Sequence, residues 1–367
     1  MEVIDLRDTP FLTLPSHLFR PLANLKEVYG DTYTLCCKVN LPEHFDSLNC
    51  HAPKAVISSC LRLIESDFHR LSLWLWASMA AVANVASIAW LIHCQTKRTL
   101  SASVSVTMLI QLSVCDAFTC VYLLVIGVVD IMYSGEYFSR DHQWRSSVTC
   151  SLAGVLSVLS DHVSTLTALA LAVGRISTIR DWLQRRFCGK RVMIVICALL
   201  WVLGISVAVA PLWPGLSDLG LYRHSALCAP VVISSMQILP RHQFFLGAHL
   251  SLQIILRWLT LAFLSHVLRS SCVATASNDV EDSKLEEVTF SRRVIVLVVC
   301  DTVCSLVEVL PGWLTVMSIV PVPDDVTMGG HFFARPFNVA LNPFLILFLV
   351  ARNLNSKCIK ATSLRTV

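Results

Sequence analysis

Charged residues are scarce in this chain of 367 residues: they make up 15% of it, whereas hydrophobic residues make up 55%. Together with a mean hydropathy of +0.65, this composition excludes an ordinary water-soluble domain and predicts a membrane protein. Residues 1–8 lack the apolar core of a signal peptide. We therefore expect either that the first membrane span acts as the signal or that the sequence is part of a longer one.

Long apolar runs are abundant instead. A membrane-spanning helix needs about 20 mostly apolar residues, and backbone polar groups in lipid must bond within their own segment, which favours helices over strands. Seven stretches qualify, at residues 71–93, 103–129, 148–174, 191–213, 244–268, 293–319 and 332–352. The sequence thus predicts an all-α membrane protein with a seven-transmembrane helix bundle over residues 70–352.

Basic residues indicate the orientation of the bundle. They are concentrated in the link after the third span, at Arg175, Arg180, Arg185, Arg186, Lys190 and Arg191, and are missing from the link after the sixth. Because basic links stay cytoplasmic, the N-terminus is predicted to be extracellular and residues 353–367 to form a cytoplasmic tail. These links account for the formal net charge of +4, so no nucleic-acid partner is implied.

The cysteines divide with this orientation. Cys188, Cys272 and Cys358 face the reducing cytosol, and six lie on the outer side, where disulfides persist: Cys36, Cys37, Cys50, Cys60, Cys150 and Cys228. Their spacing is not that of a tetrahedral zinc site. The first four external cysteines allow three pairings, and the sequence does not select one. Cys358 is a candidate for palmitoylation, with a plain free thiol as the alternative.

The residues ahead of the spans have the leucine spacing of a leucine-rich repeat. Residues 2–8 alternate like a short strand, and regularly spaced leucines follow from Leu12. We interpret residues 1–34 as a terminal leucine-rich repeat and residues 35–69 as a cysteine-rich hinge; the alternative is a short amphipathic leader. Since one repeat cannot bury its own apolar face, this unit implies missing upstream repeats or a remnant that does not fold alone.

An acid lies in the second span. Asp116 follows Leu112-Ser-Val-Cys and precedes Ala-Phe. A carboxylate near the middle of a bilayer costs several kcal/mol unless it has partners, so Asp116 indicates a functional interior. The alternative is a hydrogen-bonded, partly protonated aspartate that only packs helices.

Two segments carry a family resemblance. Residues 122–137 and 144–154 resemble the end of the second helix and the first external loop of relaxin-family peptide receptors, and residues 19–25, ahead of Cys36-Cys37, resemble their last repeat and hinge. The order of elements over residues 2–352 resembles the rhodopsin-like G-protein-coupled receptors, within them the leucine-rich-repeat-containing branch that includes these receptors and their invertebrate relatives. Single positions match as well, at Asn84, Asp116, Trp201, Asp301 and the pair Asn342-Pro343.

The resemblance implies several site assignments. Cys150 and Cys228 match the family disulfide. Asp116 is implied to anchor a polar core able to hold a sodium ion through oxygen ligands, with these partners: Asn84, Ser164, Asn338 and Asn342. The activation switch is implied at Arg175, Asp301 and Pro343.

The chain departs from the family at several activation-linked positions. Gly174 stands where the family has an acid before Arg175; the other departures are Thr260, Ser305, Val307 and Ile346. Without the acid, Arg175 is expected to move more freely, and our hypothesis is raised basal activity or a degenerate switch. The alternative is an interfacial arginine that contacts lipid headgroups.

Further charges lie within the predicted spans, at Asp161, His162, Arg257, Glu308 and Arg335. Glu308 and Arg335 fall in the outer halves of adjacent helices, so we predict an ion pair that satisfies both in a low dielectric. A ligand contact is the alternative.

These observations predict a plasma-membrane receptor, embedded in membrane lipids, that transmits an extracellular peptide or protein hormone signal to a heterotrimeric G protein. An insulin- or relaxin-like ligand is implied by the resemblance. No catalysis and no cofactor beyond the candidate sodium ion are expected. Two alternatives stay open: a non-signalling decoy or heteromer partner of such a receptor, and a transporter or channel with a polar path along Asp116, Asp161 and Arg257. Internal repetition between halves would favour a transporter, and the sequence shows none.

Overall fold

The computed structural model describes residues 3–7, 19–53, 57–95, 100–179, 190–216, 221–230, 240–276, 282–320 and 322–347. Cys188, Cys358 and the predicted cytoplasmic tail lie outside the described residues.

A three-stranded parallel sheet begins the described chain. Its strands are β1 (Val3–Asp5), β2 (Glu27–Tyr29) and β3 (Cys50–His51), in that order. Val3 pairs with Glu27, 24 positions on, and Val28 pairs with Cys50, 22 positions on. This spacing lies within the roughly 20–29 residues of a leucine-rich repeat. A small apolar core lies behind the sheet, made of Ile4, Phe19, Leu25, Val28, Leu35 and Leu41.

The rest of the described chain is helical. The helices are α1 (Asp67–Gln95), α2 (Leu100–Met132), α3 (Tyr137–Ser146), α4 (Val148–Ile179), α5 (Lys190–Val209), α6 (Pro240–Ala276), α7 (Asp282–Val316), α8 (Asp324–Gly329) and α9 (Arg335–Leu345). A π-helical turn, Gly330–Ala334, joins α8 to α9.

Six helices, α1, α2, α4, α5, α6 and α7, are long and apolar enough to cross a membrane. They agree closely with the first six predicted spans; the fourth, predicted at residues 191–213, is observed at Val192–Leu212. The predicted seventh span corresponds to the end of the π-helical turn and α9, and its last five residues, 348–352, lie beyond the described range. The count of seven spans therefore stays a prediction.

Helix α4 lies at the centre of the bundle. It packs against α2, α5 and α6, whereas α1 packs against α2 and α9. Helix α5 instead exposes apolar side chains such as Ile194, Leu199 and Val202. An exposed apolar face of this size is costly in water and is expected where a helix contacts lipid.

Three disulfides join segments of the described chain. Disulfides join Cys36 to Cys50 and Cys37 to Cys60 around the sheet, and Cys150 at the start of α4 to Cys228. The last of these brings residues 221–229 against α4, where a Cβ at Gly154 would overlap the Cys228 carbonyl. The loop can pack so closely because that position is glycine.

Candidate functional site

Two aspartates from different helices meet at one asparagine in the middle of the bundle. Asn342 Nδ2 of α9 donates a hydrogen bond to Asp116 Oδ2 of α2 at 3.0 Å and another to Asp301 Oδ1 of α7 at 2.9 Å. Both aspartates are buried. The sequence predicted Asp116 as a sodium ligand and Asp301 as part of a separate switch, and the structure places them in one cluster.

Asn338, one turn before Asn342, extends this cluster. Its Nδ2 donates to Asp301 Oδ1 at 2.9 Å and to Ser305 Oγ at 3.4 Å. No described Lys or Arg side chain forms an ion pair with either aspartate. Two ionised carboxylates that share an amide repel each other, so this cluster requires either a proton or a cation.

The oxygen atoms of the cluster fit a hard cation. Oδ1 of Asn338 and Oδ1 of Asn342 are buried and receive no hydrogen bond from the described residues. Oxygen ligands are what such a cation prefers, and a sodium ion would be held by Asp116, Asp301 and these amide oxygens. Its positive charge would offset the two carboxylates. Ser164, by contrast, forms no hydrogen bond with Asp116 and is only half-buried.

Asn84 serves a different contact from the one predicted. Its Nδ2 donates to the carbonyl of Ala80 at 3.0 Å and to the carbonyl of Val339 at 3.1 Å, which joins α1 to α9. It does not hydrogen-bond Asp116. Pro343 lies inside α9, directly after the asparagine that bridges the acids.

Arg175 is buried near the C-terminal end of α4, with 4% of its surface exposed. A Cβ built at the neighbouring Gly174 would meet nothing within 4 Å. Packing therefore does not require glycine at this position, and the space admits the acid that the family resemblance places there.

A second polar network joins α4 to α6. Arg257 Nη2 lies 2.7 Å from Asp161 Oδ1, and Arg257 Nη1 donates to Gln253 Oε1 at 2.5 Å. Thr165 Oγ1 donates to the same amide oxygen at 3.0 Å. The sequence singled out the two charges but not Gln253 or Thr165, because a neutral side chain in an apolar run gives no comparable signal.

The predicted pairing of Glu308 with Arg335 is present in the structure. Arg335 Nη1 lies 3.4 Å from Glu308 Oε1 and links α9 to α7. Arg335 Nη2 also donates to the carbonyl of Ser157 on α4 at 3.1 Å. Its guanidinium carbon lies 5.2 Å from the centre of the Tyr122 ring on α2. One arginine therefore contacts three other helices.

The cysteine-rich segment is attached to the bundle through a buried acid. Asp130, near the C-terminal end of α2 and 1% exposed, accepts a hydrogen bond from the backbone N–H of Ile64 at 2.9 Å and one from Arg70 Nε at 2.7 Å. Leu61 and Cys60 accept backbone hydrogen bonds from the segment around α3. The sequence alone did not indicate this role of Asp130, because one partner is a backbone N–H in a segment without regular structure and the other, Arg70, lies on a different helix, α1.

Helix α3 contacts the loop that carries Cys228. Arg145 Nε lies 2.8 Å from Asp141 Oδ1, and Trp144 Nε1 donates to the Ala226 carbonyl at 2.7 Å. Nearby, burial and the charge of Asp141 raise the pKa of Tyr33 to about 12. The Tyr33 hydroxyl thus stays protonated, and it accepts a hydrogen bond from Ser58 Oγ at 3.2 Å.

The fold and the site together define a multi-pass membrane protein whose helices are joined by a buried polar core and are preceded by a disulfide-linked sheet. No protein-family model matches the chain. Its sequence is nevertheless similar to those of several curated proteins over most of its length.

The chain is 26% identical over 328 residues to "G-protein coupled receptor GRL101" of Lymnaea stagnalis. This match covers 89% of this chain and 28% of that protein. It is 27% identical over 333 residues to "Relaxin receptor 1" of Mus musculus, a match that covers 89% of this chain and 42% of that receptor. It is 24% identical over 299 residues to "Follicle-stimulating hormone receptor" of Notamacropus eugenii, a match that covers 81% of this chain and 40% of that receptor.

The chain is thus a homologue of leucine-rich-repeat-containing G-protein-coupled receptors, and the resemblance seen in the sequence is confirmed. It spans less than half of the length of each of these three relatives.

Proposed function

We propose that the chain is a plasma-membrane receptor that passes an extracellular peptide or protein hormone signal to a heterotrimeric G protein. The observation that carries the proposal is the hydrogen-bonded bridge from Asp116 through Asn342 to Asp301, which joins α2, α9 and α7. A buried carboxylate pair is costly in any arrangement that leaves it unpaired. Small movements of these helices therefore change the energy of the bundle, as a two-state signalling element requires.

The attachment of the sheet supports a route for the signal. In this proposal the parallel sheet is the last repeat of an extracellular leucine-rich-repeat domain, and the N-terminus lies outside the cell. Cys37, within the sheet unit, is disulfide-linked to Cys60, whose carbonyl accepts a hydrogen bond from Phe138 N. Four residues on from Cys60, Ile64 N donates to Asp130 of α2. A ligand that displaces the sheet therefore acts on α2 through a short, constrained segment.

The proposal also includes the seventh span, formed by α9 and the residues after it, and the cytoplasmic surface between the helices as the G-protein site. An insulin- or relaxin-like peptide is the ligand class that the printed names of the relaxin receptors suggest. A sodium ion in the Asp116–Asp301 cluster would stabilise one arrangement of the bundle over the other.

Basal signalling in cells tests the proposal. Cyclic AMP and G-protein activation are measured for the native chain, Asn342→Ala, Arg175→Ala and mock-transfected cells at matched surface expression. Asn342→Ala removes the shared donor, so basal output is expected to change by roughly fivefold or more, as for a coupling free energy of about 1 kcal/mol or above. The exposed Glu136→Gln variant is the control and is expected to match the native chain.

A non-signalling decoy is the second candidate, and it is favoured by one observation: Gly174 occupies open space beside the buried Arg175, where relatives of this type are expected to carry an acid. Identical output from the native chain, both core variants and mock cells, for every G protein tested, would select the decoy and overturn the signalling proposal.

A further inference from the structure

One tyrosine hydroxyl lies between a loop carbonyl and a histidine ring. Tyr122 of α2 is fully buried, and its hydroxyl oxygen lies 3.1 Å from the Leu227 carbonyl oxygen and 2.9 Å from His331 Nε2. Leu227 belongs to the loop that carries Cys228, and His331 belongs to the π-helical turn before α9. Three separate elements of the chain therefore meet at this hydroxyl group.

The direction of both hydrogen bonds follows from the number of protons at the hydroxyl. A hydroxyl group has one proton to donate, and a carbonyl oxygen can only accept. Two oxygen atoms that lie 3.1 Å apart need a hydrogen between them, so Tyr122 donates to the Leu227 carbonyl. The Tyr122 oxygen must then accept a hydrogen bond from His331 Nε2. In this arrangement the neutral His331 ring carries its proton on Nε2, and Nδ1 has none.

The other ring nitrogen of His331 faces α7. Nδ1 lies 3.6 Å from Glu308 Oε1, which is longer than a hydrogen bond and agrees with an Nδ1 that has no proton to donate. Glu308 is paired instead with Arg335, whose Nη1 lies 3.4 Å from the same oxygen. A positive charge on His331 would be repelled by this arginine, which favours the neutral ring. The structure thus has the loop bonded to Tyr122 and the contact between His331 and Glu308 open.

A second arrangement of the same groups is available when the Leu227 carbonyl moves away. The Tyr122 proton then points to His331 Nε2, which becomes an acceptor; its own proton leaves to water while another joins Nδ1, so the ring stays neutral. Nδ1–H donates to Glu308 once the two groups approach by about 0.7 Å, because an N–H···O bond is about 2.9 Å long. Each arrangement contains two hydrogen bonds, so their number does not exclude either one.

The packing around the π-helical turn allows this approach. Gly330, next to His331, lies against α7: a Cβ built there would be 3.2 Å from Glu308 Cα and 3.5 Å from the Val307 carbonyl oxygen. The absence of a side chain at Gly330 therefore lets the turn pack closely on α7. A cavity of about 60 Å³, lined by Glu308 and His331 among others, leaves space for both side chains to move. Single π-helical turns are rare and occur frequently at functional sites.

We propose that Tyr122 and His331 form a hydrogen-bond switch through which the loop that carries Cys228 controls the attachment of the π-helical turn to α7. With the loop in place, Tyr122 bonds the loop and His331 does not bond Glu308. With the loop displaced, Tyr122 bonds His331, and His331 joins the turn to α7. Only the statement that a hormone displaces the loop rests on the proposed function; the switch itself does not.

Nitrogen NMR of the histidines tests the proposal, because it distinguishes an N–H from an unprotonated ring nitrogen. The full chain is labelled with 13C and 15N at histidine and measured in lipid nanodiscs without a G protein, at about pH 8, above the ordinary pKa of histidine. Since the chain has 12 histidines, the signal that disappears in His331→Gln identifies His331. The native chain is expected to carry the proton on Nε2 of His331, and a proton on Nδ1 would overturn the proposal.

Tyr122→Phe removes the hydroxyl but keeps the ring, whose centre lies 5.2 Å from the guanidinium carbon of Arg335. Without the hydroxyl, His331 Nε2 loses its acceptor, so the proton is expected to move to Nδ1, where Glu308 accepts it. The Nδ1 signal should therefore move from the range of an unprotonated nitrogen to that of an N–H. Tyr133→Phe, which removes a half-buried hydroxyl from the same helix, is the control and should leave His331 as in the native chain. An unchanged His331 in Tyr122→Phe would contradict the switch.

Trp144→Phe tests the loop as the input, without altering Tyr122 or His331. Trp144 Nε1 donates to the carbonyl of Ala226, the residue before Leu227, at 2.7 Å. Loss of this bond should loosen the loop and raise the ratio of Nδ1-protonated to Nε2-protonated His331 roughly fivefold, which corresponds to one hydrogen bond of about 1 kcal/mol. An unchanged ratio would show that the loop does not control His331.

The two variants act from opposite sides of the contact, so Trp144→Phe decides the question if Tyr122→Phe does not fold. Because no signalling is measured, the proposed function can fail independently of the switch. A proton that moves as expected in both variants, with no change in cyclic AMP in cells, would contradict only the proposed function.

Discussion

Arg257 of α6 forms an ion pair with Asp161 of α4 at 2.7 Å, and the arginine is almost entirely buried, with 4% of its side chain exposed. Each charge is stabilised by the other, and the guanidinium gains a second acceptor in Gln253. Breaking such a pair by removing one partner costs more than removing both, because a single buried charge is left without compensation.

The first prediction follows from this pair. Arg257→Gln should lower the free energy of unfolding by about 3 kcal/mol, at the lower end of the range for buried pairs because the Asp161 side chain is 24% exposed. The double variant Asp161→Asn/Arg257→Gln should be more stable than Arg257→Gln alone. Thermal unfolding in detergent measures both, and effects that simply add would show that the two charges act independently.

The second prediction concerns Asp130. Asp130→Ala removes the acceptor of Ile64 N–H and of Arg70, and it should cost about 2 kcal/mol, mainly because a buried N–H loses its partner. Asp130→Asn keeps an oxygen for Ile64 and should cost less. The measurement is backbone hydrogen exchange over residues 57–65. Exchange is expected to be fastest in Asp130→Ala, slower in Asp130→Asn and slowest in the native chain.

Asp67 provides the matched control for that series. It also pairs with Arg70, at 3.1 Å, but its side chain is 82% exposed. Asp67→Asn is expected to change stability by less than about 1 kcal/mol, as is usual for surface pairs. An effect as large as that of Asp130→Ala would mean that Arg70, and not the buried carboxylate, attaches the segment.

The third prediction tests sodium at the aspartate cluster. Replacing N-methylglucamine chloride by sodium chloride at constant ionic strength should raise the melting temperature of the native chain, because a ligand that binds only the folded state stabilises it. Asp116→Asn and Asp301→Asn should each reduce this increase. A sodium effect that persists unchanged in both variants would place the ion elsewhere.

The fourth prediction restores the missing acid. Gly174→Asp should be accommodated without steric conflict, since a Cβ there meets nothing within 4 Å. If the chain signals, the added carboxylate beside Arg175 should reduce basal G-protein activation by roughly fivefold, as for an ion pair of about 1 kcal/mol in one state only. Gly174→Asn is the uncharged control of the same shape, and an equal reduction in both variants would exclude an electrostatic cause.

The sequence predicted the parts of this fold that depend on length and apolar content. Six spans are found close to their predicted positions because a membrane sets the length of a helix independently of its neighbours. The Glu308–Arg335 pair was also predictable, since two charges in adjacent apolar helices need each other. Asp116 was recognised as a core residue because a single carboxylate within an apolar span is costly without partners.

Other features depend on contacts that one sequence does not reveal. The meeting of Asp116 and Asp301 at Asn342 requires three helices to approach one another in a particular register. The implied sodium ligand Ser164 forms no hydrogen bond with Asp116, and Asn84 bonds α9 through the Val339 carbonyl. Helix α3 was not predicted either, because its residues are polar and short loops carry no strong periodicity.

The disulfide between Cys37 and Cys60 has a mechanical consequence. It joins the sheet unit to a segment that is already hydrogen-bonded to the rest of the chain at Cys60, Leu61 and Ile64. A force on the sheet would therefore be transmitted to this segment through a covalent bond, and from Ile64 to Asp130 of α2. Reduction of the Cys37–Cys60 disulfide would remove this covalent connection while leaving the sheet unit and the helix bundle themselves intact.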